Sequence, residues 1–387
     1  MTAVFLGAGT VIVGLYLFAG QAFTQGIDSP LPRVPLAPAD NPTTPERVAL
    51  GRLLFWDPEL SGSRDVACAT CHHPDFGYAE NRDLSIGVTG VGLGASRRFA
   101  EGTTIPFVKR NSPTVLNTAF NGIAEDGQYA PSLAPMFWDL RARSLETQAL
   151  EPLKSLEEMR GTSYPEDQAV GVVVARLAAI EEYRTLFAAA FGTEPAVTAD
   201  NLGKALAAFQ RSLSATNAPF DRYMRGERGA MSEAAVRGMD RFQRIGCVNC
   251  HKGPMFSDYK LHVLGVPDNR LLTQTDAGGV DGGYAFRTAS LRNLRYTAPY
   301  MHSGVLEDLQ DVLRFYNRVQ RGGGNRPGAR NTNVSRDQLD PLVRQLRGVG
   351  RGNGDLLAFL DALNDEAFDR TIPARVPSGL AVGGNIR

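Results

Sequence analysis

Apolar residues recur at helical spacing in separated stretches of this chain, and no long alternating run of the kind a half-buried strand needs interrupts them. Thr44-Pro45-Glu46 is a helix start, with a hydroxyl N-cap, a proline at the first helical position and an acid in the first turn. The helix it opens carries Val48, Leu50, Leu53, Leu54 and Phe55 and must stop before Pro58. A similar order recurs later, where Ser232-Glu233 opens a helix bearing Val236, Met239 and Phe242 that ends at Gly246. Between them, Leu140 to Leu156, Asp167 to Phe191 and Leu202 to Leu213 are predicted helices, and Asp355 to Asn364 closes the series with Leu356, Leu357, Phe359, Leu360 and Leu363. Ile86 to Thr104 and the arginine-rich Arg318 to Arg351 are Gly-rich and loop-like.

The length and a 43% hydrophobic content allow two buried cores. Residues 1–27 are expected to be a signal peptide or membrane anchor, because Val4 to Phe23 carries no charge and Gly20-Gln21-Ala22 offers a small-x-small cleavage site. Residues 28–44, with five prolines, are predicted to be an extended linker. The expected units are then 45–200, 201–350, and a last helix at 351–372 packing back on the first unit. A net charge of zero gives no electrostatic footprint for nucleic acid.

All four cysteines fall in two copies of one motif, Cys68-Ala69-Thr70-Cys71-His72 and Cys247-Val248-Asn249-Cys250-His251. Cys-x-x-Cys-His is the attachment signature of a covalent c-type haem: the thiols add to the vinyl groups and the adjacent imidazole becomes the proximal iron ligand. A zinc site would need four ligands gathered from paired knuckles, and a redox dithiol would need a strand before it and a βαβ frame. Neither context is visible here, and each motif follows one of the two matching helices.

The runs Leu50-Gly51-Arg52-Leu53-Leu54-Phe55, Arg110-Asn111-Ser112-Pro113-Thr114, Phe137-Trp138-Asp139, Ser144-Leu145-Glu146-Thr147-Gln148-Ala149 and Thr297-Ala298-Pro299-Tyr300-Met301-His302-Ser303-Gly304 resemble the bacterial di-haem cytochrome c peroxidase and MauG family. That resemblance implies a mainly α fold of two cytochrome c-like domains, hydrogen peroxide reacting at the N-terminal haem, and Glu146 as the carboxylate that moves the peroxide proton. It implies that Tyr316, in Phe315-Tyr316-Asn317, is the distal ligand of the second haem, where Met255 or Met301 is the competing donor. It implies calcium at the domain seam, held by Asn111, Thr297 and Pro299. His302 is expected to support the second haem's pocket, and His262 to be a structural or surface histidine.

Three departures stand out. Val88 occupies the place of a loop histidine ligand, so the first haem is expected to be open. Met136 stands where a peroxide-positioning glutamine is expected. No interhaem tryptophan is found between the Asn-Ser-Pro-Thr and Phe-Trp-Asp runs, Asp126 lying at the aligned place. The expected protein is a periplasmic MauG-like oxidase acting with a protein substrate, or a cytochrome c peroxidase fed by a small redox protein; a non-catalytic di-haem carrier is the third reading.

Overall fold

The computed structural model describes residues 27, 29–279, 281–322, 330–350 and 352–387. The expected signal or anchor therefore lies, except for Ile27, outside the described residues. No helix among those described is long and apolar enough to cross a membrane.

In chain order the helices are α1 (Pro45–Trp56), α2 (Cys68–Cys71), α3 (Leu145–Gln148), α4 (Ala169–Ala179), α5 (Glu181–Phe191), α6 (Ala199–Ser212), α7 (Pro219–Met224), α8 (Glu233–Ile245), α9 (Leu309–Val319), α10 (Pro341–Gln345) and α11 (Asn353–Asp361). Three two-residue antiparallel ladders complete the inventory: β1 (Gly90–Val91) with β2 (Arg98–Phe99), β3 (Pro135–Met136) with β4 (Ala142–Arg143), and β5 (Leu261–His262) with β6 (Phe286–Arg287). The mainly α, two-unit organisation is as the pattern implied.

Each unit is built on a crossing of two helices. α1 starts as its sequence dictates, Thr44 Oγ1 accepting from the Arg47 amide. It then crosses α6 so closely that a Cβ at Gly51 would collide with the Ala205 carbonyl and with Phe209. In the second unit Ser232 caps α8 in the same way, and Gly238 meets the Asp355 carbonyl and Phe359 of α11. Glycine at these two positions lets backbone approach backbone, which is why a residue with poor helix propensity sits inside a helix. Each crossing delivers the chain into a Cys-x-x-Cys-His motif.

Three features differ from the sequence reading. The expected division at 200/201 cuts through α6, whose Leu202, Ala205, Leu206 and Phe209 belong to the first core, so that unit extends to about residue 216. The last helix packs on α8 in the second core, and not on the first unit; its partner is fixed by Gly238. What returns to the first unit is the irregular tail after Asp365: Phe368 and Val376 enter that core, and Thr70 Oγ1, inside the first motif, donates to the Gly383 carbonyl at 2.9 Å. The helix expected over Leu140 to Leu156 shrinks to α3, because Leu140 and Ser144 have left-handed φ and Pro152 has no amide to continue the ladder.

The segment before α1 is docked along its length. Leu31 sits with Phe120, Ile123 and Met255, and its amide donates to Asp221 Oδ1 at 2.9 Å. Ten residues on, Asn41 Nδ2 donates to Glu146 Oε1 at 2.8 Å in the first unit.

Gly238→Ala tests the crossing. The methyl has no room except by parting α8 and α11, so a loss of about 2–3 kcal/mol is expected, seen as a fall of several degrees in the thermal unfolding of the second unit. An unchanged melting curve would mean the helices tolerate separation.

Candidate functional site: two haem seats

The two motifs are mounted alike. His72 Nδ1 lies 3.0 Å from the Tyr78 carbonyl and His251 Nδ1 lies 3.0 Å from the Phe256 carbonyl. Both carbonyl residues have left-handed φ, 57° for Tyr78 and 54° for Phe256, a strained state for a bulky aromatic that the motif loop imposes twice. A carbonyl only accepts, so Nδ1 carries the proton and Nε2 keeps its lone pair for a metal. Burial reinforces neutrality: it lowers the His72 pKa to about 4 and shifts His251 the same way. Burial also pushes the Cys68 thiol up to about 12. Two thiols and one free imidazole nitrogen on the wall of each cavity form the donor set of a covalent haem.

The first cavity, about 690 Å³, carries His72, Met136, Trp138, Gln148, Glu158 and Met159 on its wall. Glu158 sits in a π-turn, Leu156–Arg160, opened by Ser155, whose Oγ accepts from the Glu158 amide. Its carbonyl accepts from Val88 N at 3.0 Å, and Gly87 packs so tightly on the Glu157 and Glu158 carbonyls that no side chain fits there. Burial raises the Glu158 carboxyl to about 7, with the Arg141 charge opposing. Val88 itself is buried in the first core, and His72 is the only histidine on this cavity's wall.

Glu146 is held elsewhere. Its Oε1 accepts from Asn41 Nδ2 and, at 2.6 Å, from Arg211 Nη2, while Leu145, Gln148 and Ala149 are the residues of this segment that line the cavity. Glu146 thus does not line this cavity, whereas Gln148 and Glu158 do. Met136 takes a contact from Asn121 Nδ2 at 3.5 Å. Glu157-Glu158 lies just beyond Pro152, whose missing amide ends the helical ladder.

The second cavity, about 240 Å³, is lined by His251, Met255, Met301, His302 and Tyr316 among others. Tyr316 projects from α9, and burial moves its phenol above the ordinary range. Asn111, Thr297 and Pro299 all reach this cavity. Asn111 gives Nδ2 to the Arg82 carbonyl at 2.8 Å, which turns Oδ1 the other way. His302 stacks on Phe286 with ring centroids 3.4 Å apart, and burial lowers its pKa to about 3. His262 is structural: Asp258 and Asp340 face its two ring nitrogens at 3.0 and 2.6 Å and hold its charged form up to about pH 11.

Trp138 lines both cavities. Its indole N–H donates to the Asn111 carbonyl at 2.9 Å, its own carbonyl accepts from Arg287 N at 2.7 Å, and its ring meets His302 edge-on. No tryptophan stands between the two runs, and the one that lines both cavities lies inside the second of them. It is one of only two tryptophans in the chain, which was the available clue.

Residues 45–229 match the family model described as di-haem cytochrome c peroxidase. The methylamine utilization protein MauG of Methylorubrum extorquens is 35% identical over 340 residues, 87% of this chain and 83% of that one. The cytochrome c551 peroxidase of Pseudomonas aeruginosa is 32% identical over 304 residues, 76% and 78% of the two chains. Among solved structures, a MauG-like protein associated with microbial copper homeostasis superposes with a TM-score of 0.69 at 28% identity, covering 87% of this chain and 95% of that one. With two matched haem seats and these relatives over most of its length, the chain belongs to the di-haem cytochrome c peroxidase and MauG family and is an oxidoreductase built for two covalent c-type haems.

Proposed function

We propose that the protein activates hydrogen peroxide in the first cavity and passes oxidising equivalents to the second, in the manner of MauG. The observation that carries this reading is the pairing of a roomy first cavity, free of any histidine but His72, with the half-buried Glu158 carboxyl on its wall. Haem iron bound through His72 supplies the electrons that break the O–O bond. Glu158 takes the proton from the near peroxide oxygen and returns it to the far one, which leaves as water. Gln148 offers both a donor and an acceptor and orients the peroxide. Val88, buried in the core, offers no ligand to a haem that His72 would hold.

In the second unit His251 and Tyr316 would hold the haem iron. A phenolate favours ferric and higher-valent iron, whereas a thioether favours ferrous iron. Trp138 is the relay between the cavities. Calcium held by the Asn111 side-chain oxygen and by Thr297 and Pro299 would pin the seam, since carbonyl-type oxygens suit a hard cation. The oxidised partner is a protein substrate met at the surface. A second reading, a peroxidase fed by a small redox protein, is favoured by Met255 and Met301, which stand on the second cavity's wall as alternative ligands. Either function belongs to an exported protein.

Glu158→Gln is expected to keep both haems and slow the peroxide reaction by roughly 10²-fold or more. Because the base acts ionised and holds its proton up to about 7, the wild-type rate should rise with pH through about 7 and then level off. Glu146→Gln leaves buried Arg211 without its charge partner and should cost about 3 kcal/mol of stability with little change in the peroxide rate. Stopped-flow mixing and thermal unfolding of both variants check the assignment; a slow Glu146→Gln beside a fast Glu158→Gln reverses it.

Tyr316→Met separates the two functions. It should raise the second haem's potential and abolish the long-lived oxidised state that peroxide generates in the diferric protein. A wild type that reacts only after one-electron reduction, together with a Tyr316→Met spectrum like the wild type's, hands the role to the redox-protein peroxidase. Calcium removal should loosen the seam and slow transfer between the haems; full transfer rates in a verified calcium-free sample would take the ion out of the mechanism.

A further inference from the structure

Trp138 lies in a strained segment. Phe137 at φ 64° and Leu140 at φ 61° flank it in the left-handed region, each a conformation costing about 1–3 kcal/mol for a residue with a side chain. Such a segment keeps its shape only where its surroundings over-determine it. Part of the restraint is backbone: Arg287 N bonds the Trp138 carbonyl and Arg287 Nε bonds the Phe137 carbonyl at 2.9 Å. The rest runs through charge. Asp139, next to the indole, is ion-paired to Arg110 Nη1 at 2.6 Å and takes both oxygens to Arg141. Arg110 in turn grips Asp276 with a fork, Nε to Oδ2 at 2.5 Å and Nη2 to Oδ1 at 2.9 Å. Arg110, Asp139 and Asp276 are largely shielded from solvent while Arg141 is exposed, and the four charges sum to zero.

Asp276 touches neither cavity, yet it is the anchor of this chain on the second domain. We propose that Asp276 is a positioning residue for electron transfer: acting through Arg110 and Asp139, it fixes Trp138 between the two haem cavities. The inference rests on Trp138 being the relay. Each crossing moves one electron from the second haem to the first. Two crossings with two protons complete the reduction of one H2O2 to two waters, the donor refilling the second haem between them. The fork requires two acceptors. In Asp276→Asn one becomes an NH₂ facing the guanidinium, so Arg110 loses its anchor and turns toward Asp139, releasing the strained segment.

The test uses the holoenzyme with the second haem reduced beforehand. Peroxide is mixed at half an equivalent, and stopped-flow follows the first haem's reaction and the second haem's reoxidation separately. In Asp276→Asn the reoxidation should slow roughly tenfold or more, as expected of a displaced reacting group. The second haem's potential should not move, the slowing of transfer should far exceed any change in the first haem's peroxide reaction, whose cavity Arg110, Asp139 and Arg141 also line, and amide exchange over residues 137–143 should quicken. Asp276→Glu, which keeps the charge on a longer arm, should show a smaller slowing, and it decides the matter should the asparagine variant fail to attach both haems. Wild-type reoxidation in the variants overturns the proposal; so does a parallel loss of peroxide reactivity or a shifted potential, which marks a merely structural role. Trp138→Phe is the control. If it transfers as wild type does, the relay itself is wrong, whereas slow Trp138→Phe with fast Asp276→Asn sinks only the role of Asp276.

Discussion

Everything in this molecule hangs on two places where a helix backbone lies directly against another helix backbone. Gly51 against Ala205 and Gly238 against Asp355 set how α1 and α8 leave their crossings, and the Cys-x-x-Cys-His turns follow soon after. Because protein interiors are close-packed, a shift of α6 or α11 is transmitted to the motif and not absorbed. The imidazole is then aimed by a carbonyl whose own residue is forced into left-handed φ, so strain in the loop is exchanged for a fixed ring orientation.

From this common frame the two units diverge by what lines the open side of the cavity. The first presents Gln148 and Glu158 and the second presents Tyr316, while two thioethers stand on each wall. A single indole touches both, held by the Asn111 carbonyl on one side and Arg287 on the other.

The seats themselves were legible in the sequence because cysteine and histidine at fixed spacing admit few geometries, and the Thr44 and Ser232 caps marked the helices that carry them. Tyr316 was singled out by the resemblance, and α9 carries it onto the second cavity's wall. Glu158 and Gln148 were not. Their orientation depends on a hairpin at 135–143 and a π-turn at 156–160, neither of which has a hydrophobic period. Glu146 was singled out by its motif, which does not say which way the side chain turns. Trp138 was overlooked for the same reason, since left-handed residues on either side of it re-aim the backbone in a way no spacing rule records. The terminal tail and the proline-rich segment before α1 pack through single residues and backbone bonds, which leave no pattern at all.

The tail has a consequence for how the protein is made. The last residues close over the first motif: Gly383 N bonds the Trp56 carbonyl, Asn385 N bonds the Asp65 carbonyl, and Thr70 bonds Gly383 across 313 positions of sequence. Contacts of such separation form late, because the loop between their ends must be closed first. The motif that leaves the ribosome first is therefore the one whose seat is finished last. For its thiols to meet a haem edge while the chain is still open, attachment at Cys68 and Cys71 has a window that lasts until the final residues dock, and truncating the tail would widen that window while leaving the second seat to mature on its own schedule.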